Sequence, residues 1–448
     1  MKILYESDLA GSKNHGMAYR IYQFSKEFVE SGHEVMIVAA SYSHVRRVNP
    51  CVKKNLTDEI IDGIKYKWIK TPKYSGNGLR RVIHMLLYNF KLCFFAKKIA
   101  RDFRPDVVIA SGVTPLDFIG CYRIARKAKA KIVLEVGDLW PLTPIELGGY
   151  SSKHPFIRFM QKAEDYAYQN TDNVISLLPC AKDYMVGHGL SPEKFYFIPN
   201  GIVVQDWKQT QDLPLEHQDV IRQIQNRGKF MVGYAGTHSI SNALYTLLEA
   251  ALKLKNKDVE FVLVGEGPIK EDLIKYSQSK NIENVHFLPG IPKASVPTLL
   301  KRMDVLYVGF QRRSLYRFGI SPNKIYDYMM AGKPIIQAIE AGNNIVKEAK
   351  CGLYVTPDNI EEITNAILEL KEMSSTDRKK LGDNGNQYVL QYHSYEVLTG
   401  NYLNILNNLI KQYMFCAEGE EFRPSFVQGG IIYLIKKSSE PVYQRDIE

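Results

Sequence analysis

The stretch KFMVGYAG, residues 229–236, decides the reading of this chain. It is a short apolar run that closes on glycine and is followed by a segment of helical length. Five runs repeat the plan: VEFVLVG (259–265), NVHFLPG (284–290), DVLYVGF (304–310), PIIQAI (334–339) and GLYV (352–355). Near-continuous apolar runs separated by amphipathic stretches mark parallel strands covered by helices on both faces. Upstream, a first series places strands at residues 2–6, 33–39, 106–110, 131–136, 173–177 and 195–198. Helix-period stretches such as 16–31 and 155–170 lie between them. The fold class is therefore α/β, with two tandem Rossmann-like αβα domains facing each other across a cleft. In such sheets ligands bind outside the carboxyl ends of the strands.

This pattern divides the chain into a first domain at 1–205, a linker at 206–228 that is polar and lacks an apolar period, and a second domain at 229–393. Helices are expected at 360–373 and 376–391, and a long one at 394–414 is expected to return to the first domain. The tail, 415–448, carries an acidic patch (Glu418, Glu420, Glu421) and one apolar run, GGIIYLI, to which no role is assigned.

At 448 residues, with 45% apolar and 24% charged residues, the chain is neither fibrous nor disordered, and it is long enough for two cores. Its six cysteines show no CxxC or Cys/His spacing and read as reduced thiols, with no metal site implied. Glu6 and Asp8 interrupt what would be the apolar core of a leader, and no 18-residue apolar run exists, so the expected compartment is the cytoplasm. The net charge of +10 resides entirely in residues 1–200. That asymmetry points to an anionic partner, a membrane surface or a nucleic acid. The alternative is a merely well-solvated face. No nucleic-acid recognition module is present, and that partner is set aside.

After the first strand, ESDLAGSKNHG (6–16) lacks the glycine spacing of a dinucleotide fingerprint, which excludes nicotinamide and flavin dehydrogenases. VGEGP (264–268) has two glycines after a strand, enough for a tight turn against a flat ligand but weak as a phosphate cradle. The densest segment is RFGISPNKIYDYMMAGKPII (317–336). Ser321 and Pro322 are expected to open a helix, as capping residue and first helical residue. A helix N-terminus offers free N–H groups and partial positive charge to an anion. Arg312, Arg313 and Arg317 precede it, Lys324 lies in its first turn, and Asp327 follows three residues on. Amides and cations for a diphosphate thus stand beside a carboxylate for two hydroxyls. The competing reading makes Lys324 and Asp327 an ordinary intrahelical ion pair.

Several of these stretches together resemble family 4 glycosyltransferases of the GT-B fold. They are the Pro199-Asn200-Gly201 turn, VGEGP, IPKASVPTLLKRMDVLYVGF (291–310) and YDYMMAGKP (326–334). GDLWPLTPIELGG (137–149), YAGTHSISNALYTLLEAA (234–251) and the 317–336 segment resemble, within that family, N-acetylamino-sugar transferases of bacterial O-antigen, capsule and exopolysaccharide synthesis. The resemblance implies retaining transfer from a nucleotide diphosphate sugar, UDP-linked, with no metal ion and no cofactor. The acceptor it implies is an undecaprenyl-linked glycan held by the first domain, with the enzyme peripheral at the inner face of the plasma membrane.

By that resemblance Asp327 binds the donor ribose, and Gly319, Ile320 and Ser321 present amides to the donor. Gly236 and Thr237 lie against the diphosphate, and Gly265, Glu266, Gly267 and Ile291 line the base pocket. On the acceptor side stand Asn14, His15 and Gly16, while Asp138 faces the reacting sugar. Alternatively, Asp138 caps the turn at Trp140, and His15 only packs the loop. The chain departs from the family pattern at three points: Gly319 replaces the first acid, Asp327 is shorter than the usual glutamate, and YAGTHSISNALY lacks the usual Arg and Lys. The diphosphate cations are therefore expected to be Lys324 and Arg317.

Residues 79–103 form a helix with two apolar stripes, one through Leu79, Val82, Ile83, Leu86, Phe90 and Phe94, the other through Met85, Tyr88, Leu92 and Phe95. A helix on a domain surface needs only one. The second stripe, with Arg80 and Arg81 at its basic edge, is expected to rest on an anionic membrane. A helix buried between two layers is the alternative. Sugar-nucleotide epimerases share the fold, and an isomerase is the competing activity.

Overall fold

The computed structural model describes residues 1–17, 19–76, 78–417, 422–428 and 431–436. It separates a unit at Met1–Gly400 from one at Asn401–Glu448. Both large sheets belong to the first unit. The first comprises β1 (Lys2–Glu6), β2 (Glu34–Ala40), β3 (Thr57–Ile61), β4 (Ile64–Ile69), β5 (Val107–Ala110), β6 (Lys131–Val136), β7 (Asn173–Ser176) and β8 (Phe195–Phe197), in the order β3-β4-β2-β1-β5-β6-β7-β8. All pairs are parallel except β3 with β4. That hairpin is absent from the strands expected above. Its turn, Asp62-Gly63, has both residues at positive φ, 51° and 78°, as a two-residue hairpin requires.

The second sheet comprises β9 (Phe230–Ala235), β10 (Val259–Val264), β11 (Val285–Leu288), β12 (Val305–Gly309), β13 (Ile335–Ala338) and β14 (Gly352–Tyr354). It runs β11-β10-β9-β12-β13-β14, with every pair parallel. The order reverses between β9 and β12, so a crevice opens beyond their carboxyl ends. Strand β10 is buried at every position, as a central strand covered on both faces must be.

Two further elements differ from the sequence reading. Within the expected linker, Leu215–Asn226 is a helix that buries Ile221 and Ile224 in the second domain's core, beside Met231 and Val262. Its apolar face is only those two isoleucines with Val220 and His217, too sparse to show as a period.

The second correction concerns the helices α1 (Arg20–Glu30), α2 (Leu79–Phe103) and α3 (Leu116–Ala128). On α2, Tyr88 and Leu92 are fully buried, and Phe95 and Met85 are partly buried, so the stripe expected to meet a membrane packs in the core. Gly120 of α3 lets the two helices approach, because a Cβ there would stand 2.6 Å from the Leu92 side chain. The other stripe is the exposed one: Leu79 at 74%, Phe90 at 68% and Phe94 at 71%, together with Ile83, Leu86 and Leu87. Arg80 is exposed, whereas Arg81 is partly buried. Among the described residues no helix is long and apolar enough to cross a membrane.

The helix Tyr395–Ala417 begins against the first domain, where the Tyr395 ring packs edge-on to Phe24 of α1 at 5.1 Å and its N–H donates to Ile202 O at 3.0 Å. In the other unit β15 (Phe422–Gln428) and β16 (Ile431–Lys436) pair antiparallel. Glu418, Glu420 and Glu421 lie outside the described residues.

Candidate active site

The site forms where the loop after β9 meets the first turn of the helix Asn323–Met330. Lys324 does not pair with Asp327. Its ammonium donates instead to Asn242 Oδ1 at 2.6 Å and to the Tyr234 hydroxyl at 3.2 Å. It also lies 4.7 Å from the Tyr234 ring centroid and 5.7 Å from that of Phe310. These acceptors are neutral, and among the described residues no carboxylate forms an ion pair with it. Burial alone pushes the amine down to about 7. A desolvated cation without a counter-ion is costly, and an arriving anion removes that cost. Gly236 lies close beside it: a Cβ there would stand 3.3 Å from Nζ.

Asn242 braces the loop, with Nδ2 donating to Thr237 O at 2.9 Å and to Ser239 Oγ at 2.7 Å. The Tyr234 hydroxyl donates to the same Thr237 carbonyl at 2.7 Å. Neither Asn242 nor Tyr234 was singled out from sequence. Their signal is positional, since YAGTHSISN is where the family's own cations are missing.

Arg317 is placed differently from expectation. Its guanidinium makes a bidentate pair with Glu146 of the first domain, at 2.7 and 3.0 Å, so it joins the two domains and does not stand beside Lys324. The Ser314 hydroxyl also bonds Glu146. Ser321 is not a cap. The helix starts at Asn323, and the Ser321 hydroxyl accepts from Asn200 N–H at 2.8 Å and contacts the Tyr326 hydroxyl at 2.9 Å. Two of the amides expected to meet the donor are already engaged, Gly319 N–H by Tyr316 O and Ile320 N–H by Asn343 Oδ1. Gly319 has φ 97°, and a Cβ there would meet Pro179 of the first domain at 2.4 Å, which no side chain could accommodate.

Asp327 lines a cavity of about 420 Å³ together with Gly16, Arg47, Lys293 and Asn323. Burial raises its carboxyl to about 6, against the opposing pull of Lys293. It is thus an acceptor facing the loop of the opposite domain, as a ribose ligand would need. In VGEGP the glycines permit close approach of two loops, because a Cβ on Gly265 would fall 1.9 Å from Gly236 O and one on Gly267 2.1 Å from His238 O. Glu266 accepts from Gly290 N–H at 3.0 Å and from Lys270 at 3.1 Å, which hold its carboxyl below its usual range. Ile291 is partly buried against the second core. His238 is fully buried with neither ring nitrogen bonded, and desolvation lowers it to about 4, so it stays neutral.

Asp138 sits at the carboxyl end of β6 and shares a cavity of about 270 Å³ with Asn200, Tyr316, Gly319, Ile320 and Ser321. Among the described residues no group hydrogen-bonds its carboxylate, so it does not cap Trp140, and desolvation by the cleft walls raises it. His15 is 4% exposed, bonded to Ser12 Oγ at 2.8 Å and set edge-on to Trp68 at 5.3 Å. That packs it into its loop, while Asn14 and Gly16 remain exposed.

Two αβα domains with a cleft at their strand ends are the GT-B architecture. Residues 14–206 match the family described as Glycosyltransferase Family 4, and residues 229–372 match that described as Glycosyl transferases group 1. Together these matches take in most of the chain, which belongs to the family 4 glycosyltransferases. The putative colanic acid biosynthesis glycosyl transferase WcaI of Escherichia coli K12 is 23% identical over 370 residues, 78% of this chain and 87% of that protein. Among solved structures, Anabaena Alr3699/HepE in complex with UDP is similar with a TM-score of 0.64 at 15% identity, covering 91% of this chain and all of that one. WaaG, a glycosyltransferase involved in lipopolysaccharide biosynthesis, is similar with a TM-score of 0.59 at 14% identity, covering 90% of this chain and 99% of that one. Both share the two-domain fold. The family matches are to transferases, and nothing favours the isomerase reading.

Proposed function

We propose that this chain transfers an N-acetylamino sugar, with retention, from a UDP-linked donor to an undecaprenyl-linked glycan during bacterial surface polysaccharide synthesis, without a metal ion. The observation that carries the donor half is Lys324, a desolvated amine at Gly236 whose hydrogen-bond partners among the described residues are neutral. Charge develops on the leaving diphosphate as the glycosidic bond breaks, and a fixed cation there stabilises the transition state more than the ground state. That placement supplies the positive charge otherwise provided by a divalent ion. Asp327 accepts from the ribose hydroxyls, and Asp138 faces the transferred sugar from the first domain. UDP is supported by the HepE complex, and a surface polysaccharide by the WcaI and WaaG names. Retention and the acetamido group rest on the sequence resemblance.

The acceptor half brings in the membrane. The exposed face of α2 presents Phe90 and Phe94, stacked at 6.4 Å, with Arg80, Lys97 and Lys98 exposed on the same helix. An apolar ridge bordered by cations suits an anionic lipid surface, and the first half of the chain holds the whole positive excess.

Binding of UDP-, GDP- and dTDP-sugars by calorimetry, with and without EDTA, tests the donor reading. UDP-sugars should bind tightest and EDTA should leave binding and turnover unchanged. A preference for GDP, or activity lost to EDTA and restored by Mg²⁺, would overturn it. Donor incubated without acceptor should not be converted to an epimer.

A further inference from the structure

The segment Ser314–Phe318 belongs to the second domain in sequence, yet its apolar side chains are seated in the first. Phe318 is 8% exposed and packs in one cluster with Val136, Leu139, Tyr168, Ala181 and Met185, all of the first domain. Its ring stands edge-on to Tyr184 at 5.5 Å. Leu315 packs against the same cluster, and Cys180 N–H donates to Phe318 O at 3.0 Å. With the Arg317–Glu146 pair and the approach of Gly319 to Pro179, three successive residues of this strap are committed to the first domain. The second domain holds the strap from its own side. Gly342 N–H donates to Tyr316 O at 2.9 Å, and Asn343 bonds Ile320 at both N–H and carbonyl, at 2.8 and 3.0 Å.

The strap bounds the cavity of Asp138. From the second domain Tyr316, Gly319, Ile320 and Ser321 line it, and from the first Gly137, Asp138 and Leu139. Val136 and Leu139, which flank Gly137 and Asp138 in the chain, are members of the cluster that receives Phe318. One packed cluster thus fixes both walls, the end of β6 that carries Asp138 and the strap that faces it. A close-packed ring keeps its place because withdrawal would forfeit its contacts and open a void. A site is held only as precisely as the packing behind it.

We propose that Phe318 is a positioning residue for the transferred sugar. Seated in the first domain's core, it sets the spacing between Asp138 and the strap, and so the room left for the donor's sugar ring. The nucleotide end is placed by other contacts, since Lys324 is held by Asn242 and Tyr234. Loss of the ring therefore weakens the hold on the sugar and spares the nucleotide. A residue that merely fills the domain interface would lower stability and leave the relative affinity of the two ligands alone. The inference rests on the donor reading above, because it takes the Asp138 cavity to receive the sugar of a UDP-linked donor.

The test is calorimetry on the full chain with UDP, UDP-N-acetylglucosamine and UDP-N-acetylgalactosamine. Phe318→Ala should shift the ratio of UDP-sugar to UDP affinity at least fivefold against the better-bound UDP-sugar, with UDP itself within twofold of the parent. Phe318→Leu, which refills much of the space, should bring the ratio back to within twofold. Leu315→Ala should move it in the same direction by less, and it decides the matter if Phe318→Ala does not fold. Val174→Ala, in the same cluster but on β7, should lower Tm and leave the ratio unchanged. The proposal is overturned if the ratio is unmoved in the strap variants that fold, or if UDP affinity falls in step with that of the UDP-sugar. A shift in Val174→Ala as large as that in Phe318→Ala would also overturn it. A parent chain that binds no UDP, or UDP but neither UDP-sugar, would sink the donor reading itself. A parent that binds both, with a ratio the variants do not move, sinks only the role of Phe318.

Discussion

Lys324 Nζ donates to Asn242 Oδ1 across 2.6 Å, a bond between the first turn of one helix and the loop after β9. Asn242 holds the cation in place without neutralising it. Lys324→Ala should therefore lower the transfer rate at least tenfold, about 1.4 kcal/mol of transition-state stabilisation. Asn242→Ala should have a smaller effect in the same direction. Steady-state kinetics with a UDP-sugar decide this, and a near-normal Lys324→Ala enzyme would remove the residue from the mechanism.

The pH dependence follows from the same burial. With its amine lowered to about 7, Lys324 is only partly charged in the free protein at neutral pH. A diphosphate binds the charged form and raises its pKa. Nucleotide affinity should thus fall as pH rises through 7, and binding at pH 8 should take up a proton. Asp327, raised to about 6, supplies the acid limb, because below that pH it no longer accepts as a carboxylate. Calorimetry in buffers of different ionisation enthalpy measures the uptake. Lys324→Arg, whose charge does not titrate in this range, should abolish it.

Arg317 and Glu146 join the domains, but the arginine side chain is half exposed. An ion pair in that setting contributes about 0–1 kcal/mol. Arg317→Ala should leave UDP affinity within about twofold and change stability by less than about 1 kcal/mol. A loss of UDP binding as large as that of Lys324→Ala would return Arg317 to the diphosphate.

The two faces of α2 separate in their variants. Leu92→Ala opens a cavity in the core and should destabilise the protein by about 2–5 kcal/mol, read as a fall in Tm. Phe90→Glu with Phe94→Glu should leave Tm nearly unchanged and abolish co-sedimentation with anionic vesicles. Binding that survives this change, or that is indifferent to salt, would contradict the proposed docking face.

Much of the architecture was legible because the apolar runs are near-continuous: all six strands of the second sheet and six of the eight in the first were expected from them. The missed β3–β4 hairpin carried its signal in Asp62-Gly63. The helix at Leu215–Asn226 was hidden because its contact face is so small. On α2 the two stripes are nearly equivalent in sequence, and it is tertiary packing, including the close approach at Gly120, that seats Leu92, not Phe90, in the core. Lys324 stood out in the sequence as a cation at a helix N-terminus, and the structure sets it against Asn242 and Tyr234 and not against Asp327. The place of Arg317 was not legible, because Glu146 lies 171 residues away and local sequence carries no trace of the pairing.

The most direct test of the account is a crystal structure of the chain with UDP. The account predicts the diphosphate against Gly236, within ion-pair distance of Lys324 Nζ, and the ribose hydroxyls on Asp327. A diphosphate held elsewhere, with Lys324 still bonded only to Asn242 and Tyr234, would contradict it.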